Sequence, residues 1–331
     1  MTYSCIKMTI LVFLLSSLVG AMSSCAPAED PFSLLETDQS PVVDTVSIVM
    51  EPYNEWKPEE SVKIREFGPL SFYHQSAAAY KDYAIFVRGG RSVMCLYSLK
   101  KKEVLYMLNL KGVSSNVYHC NQSSFGFEKY DPSDFFPLLY VSQRANSSGR
   151  CFIEVFRIRP EYNEEGTEFA SFGVELVQII YLPRMSQENS LGNANCTIDT
   201  SRKVMYVYSR NNNTDDDNYG LCKITEFAVP DVHQKQVVLE DSDILSSFML
   251  DISAANMQGG CVKNGMLYIG QGVYSAGYIF LNVIDLEKQE LVVRLDLIEE
   301  GVKWEPEGCF FYDGSVMLAH TGAICRVVKF D

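Results

Sequence analysis

Gln258-Gly259-Gly260-Cys261-Val262-Lys263, Asn264-Gly265, Met266-Leu267-Tyr268-Ile269 reads as strand, turn, strand. An Asn-Gly pair tolerates positive φ at both positions, which a two-residue hairpin turn requires. The pattern continues. Tyr278 to Asp285 alternates as a third strand, Leu286-Glu287-Lys288-Gln289 turns the chain, and Glu290 to Leu297 supplies a fourth strand.

This four-strand unit recurs along the chain. A following copy opens at Glu307-Gly308-Cys309-Phe310-Phe311-Tyr312, turns at Asp313-Gly314, and continues through Ser315–Ala319 and Ile324–Phe330. There the sequence stops one strand short. Three earlier copies fit the same frame. The first is Ser76–Tyr80, Tyr83–Val87, Val93–Leu99 and Val104–Leu110. The second is Cys120–Phe127, Leu138–Ser142, Cys151–Ile158 and Val174–Leu182. The third is Asn195–Ile198, Val204–Tyr208, Leu221–Phe227 and Gln236–Leu239. Helical periodicity is nearly absent. The reading is an all-β, five-bladed β-propeller, with six blades as the alternative should residues 160–195 hold a divergent copy. The missing last strand is expected from the N-terminal side, with Val46-Ser47-Ile48-Val49-Met50 as donor, so that closure removes open sheet edges.

The 331 residues carry 28 Lys and Arg against 42 Asp and Glu, a formal charge of −14. This excludes nucleic-acid binding through a basic patch. Hydrophobic residues at 47% and charged residues at 21% are the balance of a folded chain, which excludes disorder as the main state. Tyr (19) and Phe (19) far outnumber Trp (2), a mix suited to strands.

Residues 1–24 read as a signal peptide: Lys7, then an apolar run from Met8 to Met22, then small residues. The run is too short to span a bilayer comfortably. Met22-Ser23-Ser24-Cys25 resembles a bacterial lipobox, which makes Cys25 the expected lipidation site and new N-terminus. The expected location is the outer membrane of a bacterium, facing the periplasm or the cell surface, with the lipid as the sole membrane contact. The acidic Glu29-Asp30 resembles the surface-export signals of Bacteroidetes lipoproteins. Residues 25–42 read as a flexible linker and 43–331 as the propeller, expected as a monomer.

Eight cysteines follow Cys25, at wide spacings and without a C-x-x-C pair, which argues against zinc. Most fall within apolar strand patterns and are expected as free core thiols rather than a disulfide framework. Asp215-Asp216-Asp217-Asn218-Tyr219-Gly220 with Glu226 approaches a calcium-loop pattern through Asp215, Asp217 and Glu226. Tyr219 breaks it and strands flank it, so a solvated hairpin loop is the expectation. No cofactor is expected. Of the four N-x-S/T sequons, at Asn121, Asn146, Asn195 and Asn212, none matters in a bacterium.

In a propeller the first strand of each blade lines the central channel, and the N-terminal ends of these strands meet at one mouth. Here those ends are Phe72-Tyr73-His74-Gln75, Tyr118-His119-Cys120-Asn121, Asn193-Ala194-Asn195, Asn256-Met257-Gln258 and Trp304-Glu305-Pro306-Glu307. His74, Gln75, Asn121, Asn195, Gln258 and Trp304 are the candidate ligand-binding residues. Glu305 and Glu307 are a candidate acid–base pair and His119 a candidate proton shuttle, should the protein be an enzyme. The same groups can equally serve only to tie strand ends around a watery tunnel.

Two family resemblances attach to these residues. Asp251 to Leu297, with Met257-Gln258-Gly259-Gly260, Gly270-Gln271-Gly272 and Val283-Ile284-Asp285-Leu286, looks like a blade of the five-bladed propeller glutamine cyclotransferases. Gln258-Gly259 and Glu307-Gly308 match steps of that pattern in kind. The resemblance implies closure of N-terminal glutamine to pyroglutamate. More broadly, the lipobox, the blades and Trp304-Glu305-Pro306-Glu307-Gly308 resemble Bacteroides-type propeller lipoproteins of the TolB-like or NHL-like kind, which implies no activity. The resulting expectation is an envelope lipoprotein that binds a small molecule, peptide, glycan or envelope protein. An enzyme of cyclotransferase or hydrolase type is the alternative.

Overall fold

The computed structural model describes residues 62–70, 73–89, 93–110, 120–143, 150–183, 191–320 and 322–329. The signal segment 1–24, Cys25, the linker 25–42, Val46–Met50, His119 and Asn146 lie outside the described residues.

The strands form five sheets, each wound outward from an inner strand. Blade 1 is β2 (Ser76–Tyr80), β3 (Tyr83–Arg88), β4 (Val93–Ser98) and β5 (Glu103–Asn109). Blade 2 is β6 (Gln122–Phe125), β7 (Leu139–Gln143), β8 (Phe152–Tyr162) and β9 (Phe169–Tyr181). Blade 3 begins with β10 (Leu191–Asp199), β11 (Val204–Asn211) and β12 (Leu221–Ala228). Blade 4 is β15 (Met257–Lys263), β16 (Met266–Val273), β17 (Tyr278–Asp285) and β18 (Glu290–Asp296). Blade 5 holds β19 (Gly308–Tyr312), β20 (Ser315–His320) and β21 (Gly322–Lys329). The expected hairpins are present: Asn264 and Gly265 take φ of 51° and 79°, and Asp313 and Gly314 take 49° and 71°.

The five-blade count holds, and two assignments differ from the sequence reading. First, blade 3 ends not with Gln236–Leu239 but with β14 (Ile244–Ser253), which pairs antiparallel with β12. The short β13 (Gln236–Val238) instead pairs parallel with β9 as a fifth, outer strand of blade 2. Gln236 and Val238 are exposed, so β13 has no second face to bury in its own blade. β14 is easily missed because Ser247, Asp251 and Ser253 face solvent while Leu250 and Ile252 face the core.

Second, the closing strand is β1 (Val62–Leu70), which pairs antiparallel with β21 from Val62↔Lys329 to Leu70↔Gly322. Ile64 and Leu70 are buried along it. This N-terminal strand takes the place expected for Val46–Met50. The alternative of six blades falls away, since the 160–195 stretch holds no sixth sheet among the described residues. The long β8–β9 hairpin and the start of β10 occupy most of it.

The core divides into five apolar clusters, one per blade interface. Leu70, Ala77, Phe86, Tyr97, Phe310 and Met317 join blades 5 and 1 across the closure. The other four seams repeat the plan. Each strand between its neighbours is covered on both faces, which is why β4 (Val-Met-Cys-Leu-Tyr-Ser) is buried throughout. The eight cysteines after Cys25 are unpaired, and all but Cys261 are fully buried in these seams. Among the described residues, no helix is long and apolar enough to cross a membrane.

Candidate functional site

The inner strands β2, β6, β10, β15 and β19 close a ring, each against its neighbours. Their N-terminal ends carry the predicted polar groups, and the packing there turns on glycine. A Cβ on Gly259 would lie 2.6 Å from the Glu307 carbonyl oxygen and 2.8 Å from the Cys309 amide nitrogen. A Cβ on Gly308 would lie 2.5 Å from that of Ala77. Bare glycines at both points let the 306–309 backbone wedge between blades 4 and 1, and this wedge is what buries Glu307.

Pro306 shapes the approach. The Glu307 amide donates to the Glu305 carbonyl at 2.9 Å, a three-residue turn that suits the fixed φ of proline. The turn brings the Glu305 and Glu307 carboxyls together. Gln75 Nε2 donates to Glu307 Oε1 at 3.1 Å, and Gln258 Nε2 donates to Glu305 Oε2 at 3.3 Å. Glu307 is 6% exposed, and its Oε2 has no partner among the described residues.

Burial pushes the Glu307 carboxyl from the usual 4.5 up to about 9, and the charge and hydrogen-bonding reach of Glu305 add to the shift. At neutral pH Glu307 is therefore held as a neutral acid. Tyr73, given no role in the sequence reading, stands beside them. Burial, then the charges of Glu307 and Glu305, raise its phenol, and the Arg88 guanidinium lies 5.4 Å from its ring centre. An exposed tyrosine just before the first inner strand was the available signal.

Asn121 and Asn195 reach the same end from blades 2 and 3. Both donate Nδ2 to the Met257 carbonyl, at 3.3 and 3.4 Å, and the Oδ1 of each is buried without a partner. The mouth thus gathers Gln75, Asn121, Asn195, Gln258, Glu305 and Glu307 from around the ring. The other candidates sit differently. His74 is fully buried with its ring edge-on to Phe86 at 4.9 Å. Trp304 stacks on His320 at 4.0 Å and packs against the seam between blades 4 and 5. The proposed shuttle His119 lies outside the described residues.

A floor closes this mouth. Gln122 is fully buried, its Nε2 donates to the Gly260 carbonyl, and its Oε1 accepts the Gly260 amide at 2.7 Å. Blades 2 and 4 are not neighbours, so the bridge crosses the channel. Sequence alone did not single out Gln122, because only the ring geometry sets it opposite Gly260.

The calcium-like string does not assemble. Asp216 is engaged by Asn211 and Asn218 within its own loop. Glu226 lies on β12, paired with Arg202 at 3.1 Å and accepting from Ser246 at 2.8 Å. It is therefore held apart from Asp215 and Asp217. No group of three or more His, Cys, Asp or Glu side chains that could hold a metal ion occurs among the described residues.

No protein-family model matches the chain, and no curated protein matches it in sequence. Solved structures with a similar course of the backbone include the Myxococcus xanthus glutaminyl cyclase, at 12% identity and a TM-score of 0.43, covering 81% of this chain and 97% of that one. A protein of unknown function from Bacteroides caccae matches at 11% identity and 0.36, covering 74% and 70%. The tail fibre of Staphylococcus aureus phage P68 matches at 11% and 0.47, covering 80% and 52%. The propeller assignment rests on the strand pairing above, and no site residue is transferred from these proteins.

Proposed function

We propose that this chain is a lipid-anchored protein of the bacterial cell envelope whose propeller binds a ligand at the acid-lined mouth. The observation that supports this reading is the set of buried oxygens lacking a partner among the described residues: Asn121 Oδ1, Asn195 Oδ1 and Glu307 Oε2. Buried polar groups are ordinarily satisfied, so the two amide oxygens call for a group that donates, and the protonated Glu307 carboxyl for one that accepts. A ligand rich in N–H or O–H groups, a peptide amine or amide or a glycan, answers that need.

The test is thermal denaturation against a panel of peptides and glycans. A true ligand raises the melting temperature by mass action. Asn195→Leu removes one acceptor and should abolish the shift. A panel that moves neither protein counts against the reading. Lipidation is checked by detergent-phase partitioning, which Cys25→Ser should eliminate.

The carboxyl pair favours one alternative, an enzyme of cyclotransferase or hydrolase type. A carboxyl raised to about 9 can donate a proton, and the second carboxyl beside it is placed to accept one. In that case Glu307→Gln eliminates turnover and leaves the fold intact.

A further inference from the structure

The opposite side of the Gln122–Gly260 bridge holds a second chamber of about 390 Å³ around the C-terminal ends of the inner strands. That volume lies within the range of small-molecule sites. Its wall mixes polar groups with apolar side chains, of which Phe127, Val262 and Phe311 are partly exposed. Lys81, Lys129 and Lys263 also line it, from three different blades, and no carboxylate does. In a protein of charge −14 this is a reversal of the general surface.

The nearby charges sharpen the contrast. Lys203 stands 5.6 Å from the Phe127 ring centre, and Lys81 stands 4.8 Å from that of Phe135. None of Lys81, Lys129, Lys203 and Lys263 forms an ion pair among the described residues. Three acids near this end are engaged elsewhere: Glu226 with Arg202, Asp313 with Arg326, and Asp199 with the amides of its own turn; Asp82 and Glu128 adjoin the chamber in sequence without lining it. Inside the chamber wall, the Ser123 hydroxyl is buried without a partner among the described residues.

We infer that this chamber is a second binding site, taking a small amphiphilic anion: an apolar body bearing one carboxylate or sulfonate. The body replaces water against the phenylalanines, the anionic group meets the lysine ring, and Ser123 offers a buried hydroxyl. The site is separate from the acid-lined mouth and does not depend on its function.

The probe is 1-anilinonaphthalene-8-sulfonate, followed by fluorescence on the purified full chain, with decanoate and 1-decanol as competitors. Saturable binding of one equivalent is expected. Decanoate should displace the probe at far lower concentration than the neutral alcohol of the same length. The triple variant Lys81→Gln, Lys129→Gln, Lys263→Gln should weaken decanoate about tenfold, three modest ion pairs together, and bring it close to the alcohol. All three lysines are exposed, so the variant should melt with the wild type. Glu307→Gln should bind the probe unchanged. Absence of saturable binding overturns the inference, as does equal displacement by decanoate and decanol. A triple variant that binds decanoate like the wild type overturns it as well.

Discussion

Replacing Glu307 by Gln should alter how stability depends on pH, and the structure gives the size. The folded-state carboxyl sits at about 9 against 4.5 for the free group. A raised carboxyl favours the protonated form in the fold. Its contribution is therefore fully present below pH 4.5 and is lost as pH rises through 9. Between those limits the unfolded chain has released a proton that the folded chain still holds. Stability then falls by about 1.4 kcal/mol per pH unit, or roughly 3 kcal/mol by pH 7 relative to pH 4.5. Glutamine has the shape of the protonated acid and does not titrate. Its carbonyl can still accept from Gln75 and its amide can face the Glu305 carboxyl.

The assay is urea unfolding of both proteins at pH 5, 6, 7 and 8, compared as a difference so that titrating groups not coupled to Glu307 cancel. The variant should gain on the wild type by about 4 kcal/mol in total from pH 5 to 8. The slopes with urea should match, since the surface exposed on unfolding is unchanged. Two parallel pH curves would refute the claim that Glu307 is buried as a neutral acid.

Three further outcomes follow from the same geometry. Glu305→Gln removes the neighbouring charge, so the pH-dependent loss carried by Glu307 should keep its slope but end at a lower pH and be smaller in total. The double variant should match Glu307→Gln alone, and an additive pair of effects would rule out the coupling. Gly259→Ala places a Cβ 2.6 Å from the Glu307 carbonyl oxygen, with only backbone to yield, and should cost about 1–3 kcal/mol or more in denaturant unfolding. An unchanged midpoint would mean the inner strands pack differently. Cys261 and Cys309 have sulfurs 3.5 Å apart on neighbouring inner strands. Diamide should oxidise this pair to a disulfide, itself being reduced to the hydrazine, so that two fewer thiols alkylate after denaturation. Cys261→Ser should remove the effect, and loss of thiols in that variant would point to a different pair.

What could be read from the sequence was governed by how local the signals are. Asn264-Gly265 and Asp313-Gly314 encode their turns in two residues each, and the alternation around them marks the strands. The convergence of Gln75, Asn121, Asn195, Gln258, Glu305 and Glu307 followed once the inner strands were lined up. β13 and β14 were misassigned because Val237 and Leu239 mimic a strand's alternation, whereas Ser246, Ser247, Asp251 and Ser253 disguise one. The closing strand was sought at Val46–Met50 because Arg65, Glu66 and Pro69 interrupt the apolar pattern of Val62–Leu70. That interruption is the outer face of an edge strand with a bulge between Glu66 and Gly68. The burial of Glu307 was out of reach, since it depends on how near the backbones of Gly259 and Gly308 come to other blades.

The Gln122–Gly260 bridge bears most on how the two ends of the channel are understood. A propeller channel lined by polar groups can be a passage, or merely a column of water. Here a fully buried amide bonds in both senses to a backbone unit across the ring, so opening the channel means breaking two buried hydrogen bonds at once. A ligand proposed for the acid-lined mouth would therefore meet Gln75, Glu305 and Glu307 with the bridge behind them. The lysine-ringed chamber, of opposite charge, lies on the far side of the same bridge. One side presents Glu305 and Glu307, the other Lys81, Lys129 and Lys263, and the ring keeps them apart. A separation of charge along one axis favours donors at one end and anions at the other. It also makes a single ligand spanning both ends the least suitable occupant for this molecule.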